Sequence, residues 1–451
     1  MLNTLFLPEL REMLKTEDSA GLTEFCTAMH PSRTADFMEG LTDQEAWQVL
    51  QYAPVGERVE IFTYFEHARQ TELLSNADRD QVATLVAEIA SDDRVDMLQE
   101  LDEATVQDLL ARLPAEERRD VQRLSQYPEG TAGAVMTSEF AKLSETLTIR
   151  EAMDEIGRQS EEFETIYYLF IVDEEDHLRG LVSARQLLAG MKNPETRLAD
   201  IMETALVTAR EMDDQEEVAN KVAKLDLLAL PIVNDQHHIV GIVTHDDVID
   251  VVREEATEDA HRIAAVDPLD QTYLKTHLLT LSWKRGMWLT ILFFFALMTA
   301  MALEQYDTQL KKWAWLVPFI PLVISSGGNS GSQSATLIIT ALSRGHVALS
   351  DWWTIIWREL VMGLLLGAGL GLMSLVVSPF FSDVPAFPQS LVVPITLLLV
   401  VVSGTLTGSI LPLVFERVGL DPAMMSNPFV AGIVDILGIV IYLSVAIILL
   451  S

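Results

Sequence analysis

The chain has 451 residues, 31 Lys+Arg against 66 Asp+Glu, a formal net charge of −35 and one cysteine, yet 49% of its residues are hydrophobic. Such acidity excludes a phosphate-backbone binder, which needs a basic face, and Cys26 has no partner with which to build a disulfide scaffold. Residues 271–451 carry eight acidic and eight basic side chains, so the whole excess falls in residues 1–270, with 58 acidic against 23 basic.

The opening, MLNTLFLPELREML, lacks a basic start, a long apolar run and a small-residue cleavage site, so no export signal is expected and the acidic half is expected in a reducing cytosol. Residues 1–130 hold a repeat at an offset of 60: TADFMEGL (34–41) aligns with RVDMLQEL (94–101), and PVGER (54–58) with PAEER (114–118). Apolar residues at three- and four-residue spacing between short breaks predict an all-α, superhelical domain of short stacked helices.

A second repeat follows. VMT (135–137) recurs as IME (201–203), and, at an offset of 61, IVD (171–173) recurs as IVN (232–234) and GLVS (180–183) as GIVT (241–244). Each copy reads as an opening strand, a helix, two strands joined by an acidic turn and a closing helix. This pattern resembles the paired CBS motif, an α/β module, with motif 1 at 131–200 and motif 2 at 201–256. In that family the closing acid of h-G-h-h-[ST]-x-x-[DN] often holds a nucleotide ribose. The second copy fits through Asp247, while the first ends SARQ (183–186) and departs. The resemblance implies Tyr168, Arg185 and Asp247 as nucleotide residues, with ATP as the ligand to test, and the departure at Gln186 leaves binding open.

Residues 246–270 form an acidic connecting segment. DDVIDVVREEATEDAHR (246–262) predicts a helix with Val248, Ile249, Val251 and Val252 on an apolar side and acids over the rest.

Residues 271–451 contain long uncharged stretches at 286–303, 313–343, 360–382 and 384–415, and a last one, 422–451, interrupted by Asp435. They predict five transmembrane helices. Lys284, Arg285, Arg344 and Arg417 fall on one side and Lys311 and Lys312 on the other, which puts the N-terminal half in the cytosol and the C-terminus outside. An Asp inside a span costs about 2.5–3.5 kcal/mol and is normally turned to a partner or a watery cavity, and no stretch contains a basic partner for Asp435. SSGGNSGSQS (325–334) puts ten small or polar residues at membrane depth, which predicts a polar lumen there. Gly363, Gly367 and Gly371, and Gly404 and Gly408, predict close helix packing, within the chain or at a subunit contact.

Domain order, together with GGNSGSQSAT (327–336), SNPFVAGIVD (426–435) and EATED (255–259), closely resembles the MgtE family of bacterial magnesium channels and transporters over essentially the full length. The resemblance implies a homodimer in the bacterial inner membrane taking up Mg²⁺ along a path lined by Asn329, Asn427, Ala431 and Asp435. It also implies gating: Mg²⁺ bound among Asp92, Asp93, Asp96, Asp214, Glu216, Asp226, Asp247, Asp250, Glu255, Glu258, Asp259 and Asp421 closes the dimer, and the connecting helix plugs the pore. Electrostatics agrees with such a switch, because two carboxylates about 6 Å apart cost roughly 3 kcal/mol at an effective dielectric near 20, and a bridging cation reverses that sign. Two rival readings are a cation transporter coupled to H⁺ or Na⁺ and a membrane-anchored nucleotide sensor. An enzyme is not expected, since no nucleophile–base pair, P-loop or zinc spacing occurs.

Overall fold

The computed structural model describes residues 5–159, 163–269, 273–274, 276–377, 380, 385, 387–424 and 427–451, and it divides into two units, Met1–Val252 and Arg253–Ser451. Ser426, the first residue of the SNPFVAGIVD string, lies outside the described residues.

The first unit opens with α1 (Leu7–Thr16), α2 (Ser19–Thr27), α3 (Pro31–Met38), α4 (Asp43–Leu50), α5 (Val55–Thr63), α6 (His67–Asn76), α7 (Arg79–Ala87), α8 (Ser91–Gln99), α9 (Glu103–Arg112) and α10 (Ala115–Leu124). The 60-residue repeat is visible as α3 matching α8, and as α5 and α10, each started by a proline at its N-cap, Pro54 and Pro114. Proline there fixes φ and sacrifices a donor that the first turn does not use. Buried Leu22, Met38, Leu50, Ile61, Phe62 and Leu74 hold the stack together.

The α/β part consists of β1 (Phe140–Ser144), α11 (Ile149–Gln159), β2 (Thr165–Val172), β3 (Leu178–Ser183), α12 (Ala184–Gly190), β4 (Ala209–Arg210), α13 (Gln215–Leu225), β5 (Ala229–Val233), β6 (Ile239–Thr244) and α14 (His245–Ile263). Two three-stranded sheets form, β1-β2-β3 and β4-β5-β6, each with one parallel and one antiparallel pairing. Tyr168 pairs with Ser183 and, 61 residues on, Ala229 pairs with Thr244, so the register repeats as the sequence does.

VMT and IME precede the opening strands, which begin at Phe140 and Ala209. Their methionines instead cross between copies: a Cβ on Gly180 would stand 2.6 Å from the Met202 sulfur, and one on Gly241 2.6 Å from that of Met136. The glycine of each GhhS/T motif is thus the seat for the other copy's methionine. The turns also meet, with the His177 and His238 rings 4.6 Å apart.

The second unit, beyond the last turns of α14, contains α15 (Leu278–Gln305), α16 (Asp307–Lys312), α17 (Ile320–Ser343), α18 (Trp352–Val377), α19 (Val392–Arg417) and α20 (Asn427–Leu450). Among the described residues, four of the long helices, α15, α18, α19 and α20, are long and apolar enough to cross a membrane. The fifth, α17, is as long as α20 but is diluted by the polar string. Gly404 and Gly408 let α19 approach α17, where added Cβ atoms would lie 2.4 Å and 2.1 Å from the carbonyl oxygens of Gly327 and Gly331. Gly363, Gly367 and Gly371 do the same for α18 on α19. The glycine faces expected from the sequence are therefore used inside the chain.

Candidate metal centres

In the first unit, α8 carries the key acids and is tied down beside the α/β module. Arg94, 2% exposed, donates to the carbonyl oxygens of Val86 (2.9 Å) and Ile89 (2.6 Å) and to Glu139 Oε1 (3.1 Å). Ser91 Oγ accepts from the Ser138 amide at 2.8 Å. These bonds place Asp92 in the interior, where it is 6% exposed and its Oδ1 has no hydrogen-bond partner.

Facing it are carboxylates from the module. Glu164, Asp246 and Asp247 lie with ligand oxygens within 4.8 Å of one another, and Glu164 Oε2 is also buried without a partner. Desolvation, then Asp247 and Glu164, push the Asp92 carboxyl well above its usual range. Desolvation raises Glu164 to about 7, with Thr137 opposing and Asp247 adding to the rise. Asp247 rises to about 6 through desolvation, although Thr244 hydrogen-bonds it. At the rim, Asp93 is raised by desolvation, and further by Asp250 and Asp246 against the opposing pull of His67. Orphaned oxygens and mutual repulsion are what a hard divalent cation would relieve, since its preferred ligands are carboxylates, so the residues present fit Mg²⁺.

The remaining predicted acids of this unit are elsewhere. Asp214 is the N-cap of α13, accepting from the Glu216 amide at 2.8 Å. Glu216 is in the first turn of that helix and Asp226 is its left-handed C-cap (φ 52°). Ten residues of helix separate these two by about 15 Å, so one chain does not bring them to a common ion. Asp96 lies one turn beyond Asp92 on α8 and is exposed.

Of the nucleotide candidates, Tyr168 is on β2 and Arg185 is in the first turn of α12. Gln186, where the motif has an acid, completes a capping box with Ser183, accepting from its amide and hydroxyl at 2.8 Å each. Asp247 does the same for Thr244, at 3.1 Å to the amide and 2.5 Å to the hydroxyl. The shared role of this position is to cap the closing helix. A cleft of about 300 Å³ in the module is lined by Thr208, Arg210, Asp213, Asn234, Asp235 and His237 among others, and by none of these three candidates.

In the second unit, Asp435 lies on α20 against α17: a Cβ on Gly328 would be 3.5 Å from Asp435 Oδ1 and 3.4 Å from Ala431 Cβ. Among the described residues none donates a hydrogen bond to Asp435 or pairs with it. Ser332 Oγ of α17 donates to the Asn427 carbonyl oxygen at 3.1 Å, and Thr336 Oγ1 pairs with Asn427 Oδ1 at 3.1 Å, which fixes the start of α20. Ser325, Asn329 and Gln333, at four-residue spacing, form an exposed polar stripe on α17.

In the same unit, Ile263 packs against the cluster of Ala335, Ile339, Ala423, Val430 and Val434. Arg262 is bonded to both Glu258 and Asp421. Asp259 is raised to about 6 by desolvation, then by Asp421 and Glu255, with Arg262 opposing. The predicted set Glu255, Glu258, Asp259 and Asp421 is therefore gathered, with Arg262 among it.

Three family descriptions match: "MgtE intracellular N domain" over residues 29–130, "CBS domain" over 132–193 and 198–254, and the divalent cation transporter MgtE over 320–445. The magnesium transporter MgtE of Thermus thermophilus is 37% identical over 446 residues, covering 98% of each chain. The chain belongs to the MgtE family. Among solved structures, the soluble part of a magnesium transporter matches at 33% identity with a TM-score of 0.52, covering 55% of this chain and 97% of that one. The cytosolic domain of the Mg²⁺ channel MgtE in complex with ATP matches at 34% identity with a TM-score of 0.50, covering 54% and 98%.

Within this MgtE chain three residues of the sites carried no assignment from the sequence. Glu164 and Asp246 complete the acid cluster of the first unit. Glu359 precedes the uncharged stretch 360–382, yet α18 begins at Trp352 and encloses it. The signal for Asp246 was its adjacency to Asp247, whereas Glu164 precedes β2 with nothing local to mark it.

Proposed function

We propose that this chain forms a homodimeric Mg²⁺ channel of the bacterial inner membrane, closed by cytosolic Mg²⁺. The observation that carries the reading is Asp435, a carboxylate in an apolar helix, without a cationic partner among the described residues, against the polar helix α17. Mg²⁺ sheds water reluctantly and usually meets one or two carboxylates while keeping several waters. Two copies of Asp435, with Asn329, Asn427 and Ala431 beside them, offer such a path. The exposed stripe Ser325, Asn329 and Gln333 supports a water-filled lumen, because lipid-facing polar groups would go unsatisfied. In this reading five helices span, with α17 the polar one, and the N-terminal unit is cytosolic.

Gating uses the two acid clusters. When Mg²⁺ is scarce, Asp92, Glu164, Asp246 and Asp247 repel, and α8 is driven from the α/β module. When it is plentiful, an ion among them reverses the repulsion, and a second ion among Glu255, Glu258, Asp259 and Asp421 seats the end of α14 on the path. ATP as a second ligand of the CBS pair is supported by the ATP complex of the related cytosolic domain, and thermal-shift titration of the intact chain with ATP tests it.

The deciding measurement is Mg²⁺ flux in liposomes at stepped concentrations on the cytosolic side, comparing the intact chain with one lacking residues 1–130. Channel gating predicts suppression by Mg²⁺ in the intact chain and relief in the truncation. Flux that follows an imposed pH or Na⁺ gradient instead would establish a coupled transporter.

A further inference from the structure

Glu359 is a carboxylate that neither the ion path nor the acid clusters use. It lies seven residues into α18, within the stretch Leu349–Val377 that is long and apolar enough to cross a membrane. A carboxylate at such depth is costly unless it faces a partner, and among the described residues no Lys or Arg pairs with it. Its partners are neutral and come from two other helices. Ser334 Oγ of α17 donates to Glu359 Oε2 at 2.5 Å, and Thr405 Oγ1 of α19 donates to its main-chain oxygen at 3.1 Å. One turn on, a Cβ at Gly363 would stand 2.5 Å from that same Thr405 hydroxyl, so α18 and α19 touch there.

Ser334 is 5% exposed, and the helix that carries it is the one that holds Asn427 through Ser332 and Thr336 and sets Gly328 against Asp435. We propose that Glu359 is a positioning residue for permeation: through Ser334 its carboxylate fixes the rotation and height of α17, and with them the placement of Asn427 and Asp435. This rests on the reading of α17 and α20 as the ion path. A hydroxyl-to-carboxylate bond is roughly twice as strong as a neutral one. Without it, Ser334 would turn back to its own helix's carbonyls, as serines in helices do, and α17 would lose its tie to α18.

The test uses the full-length protein in liposomes, with Glu359→Gln, Glu359→Leu and Ser334→Ala. Glu359→Gln keeps an acceptor oxygen but a neutral, weaker one, so it should lower maximal flux only about two- to three-fold and keep the Mg²⁺:Co²⁺ flux ratio of the unsubstituted chain. Glu359→Leu and Ser334→Ala should each lower maximal flux about ten-fold, the factor that one hydrogen bond of about 1.4 kcal/mol represents, and shift the flux ratio. The double variant should be no worse than Glu359→Leu alone, because both break one bond. Ser334→Ala removes a single oxygen and keeps the test open should Glu359→Leu fail to fold. If Glu359→Gln falls as far as Glu359→Leu while Ser334→Ala is unaffected, the carboxylate meets the ion itself and the positioning role is wrong. Unchanged flux in both Glu359→Leu and Ser334→Ala, with Asp435→Ala inactive, overturns it alone. No Mg²⁺ flux from the unsubstituted chain overturns the ion-path reading and this one together.

Discussion

The acid cluster of the first unit and the carboxylates within the long apolar helices of the second are used in opposite ways. In the first, Asp92, Glu164, Asp246 and Asp247 are crowded together, and two of their buried oxygens have no hydrogen-bond donor. In the second, Asp435 and Glu359 lie in separate helices beside neutral atoms, the backbone of Gly328 and the hydroxyl of Ser334. Crowding makes the local free energy depend steeply on any cation that arrives, which suits a sensor. Isolation leaves one charge to face a passing ion or one neighbouring helix, which suits a path and its scaffold.

The largest effect should come from erasing the isolated charge on the path. Asp435→Ala should abolish Mg²⁺ uptake, by at least about a hundred-fold in liposome flux, since nothing else among the described side chains of α20 offers a hydrated Mg²⁺ a carboxylate. Retained flux would mean that the isolated charge is structural, and the contrast between units would collapse.

Diluting the crowded cluster should move the set point and leave the path intact. Asp92→Asn with Asp247→Asn removes two of the repelling charges and two of the ligands. Fewer charges are then left for the ion to offset, so flux without cytosolic Mg²⁺ should fall several-fold, as on acidification, and the remaining flux should respond less steeply to Mg²⁺, with a shifted half-inhibition. Equal half-inhibition in variant and parent would place the sensor elsewhere.

Acid should imitate the ion. Glu164 is raised to about 7 and Asp247 and Asp259 to about 6. For an acid whose folded value is raised, the packed arrangement keeps its full stability below the ordinary carboxylate range near 4 and loses it as pH rises through 6 to 7. At pH 7.5 these groups are charged and repel, whereas at pH 5.5 most carry a proton. Flux without cytosolic Mg²⁺ should therefore fall several-fold from pH 7.5 to 5.5 on the cytosolic side, and Asp247→Asn should flatten that profile.

Repetition made much of this fold legible. Offsets of 60 and 61 residues delimit the helical stack and the α/β pair because each repeated unit folds on local periodicity that sequence displays. Asp435 was legible because a lone charge in an apolar run has no other excuse. Glu164 was not, since it reaches Asp247 across 83 residues and from one three-stranded sheet to the other, a packing that no local pattern encodes. Asp214 carries a readable cap signature, an acid followed three residues later by Glu217, and its hydrogen bonds show that role. The uncharged stretch 360–382 did not disclose that α18 starts at Trp352, because a helix can include Glu359 where the hydroxyl of Ser334 on a neighbouring helix donates to it.

The smallest expected shift concerns a crowded cluster that already holds a cation of its own. Arg262 bridges Glu258, one turn earlier on α14, to Asp421, and it lowers the strain on Asp259. A guanidinium supplies one positive charge where Mg²⁺ would supply two, so Arg262 neutralises part of the set and must yield its partners when the ion binds. Half-exposed ion pairs contribute about 0.2–1 kcal/mol each. Arg262→Gln should accordingly lower the half-inhibitory Mg²⁺ concentration about three-fold, read both as flux and as Mg²⁺-dependent protection of α14 from protease. The opposite shift, a higher concentration with raised flux in the absence of Mg²⁺, would show that the arginine is itself the latch, and that this cluster closes on a tethered cation before it closes on a free one.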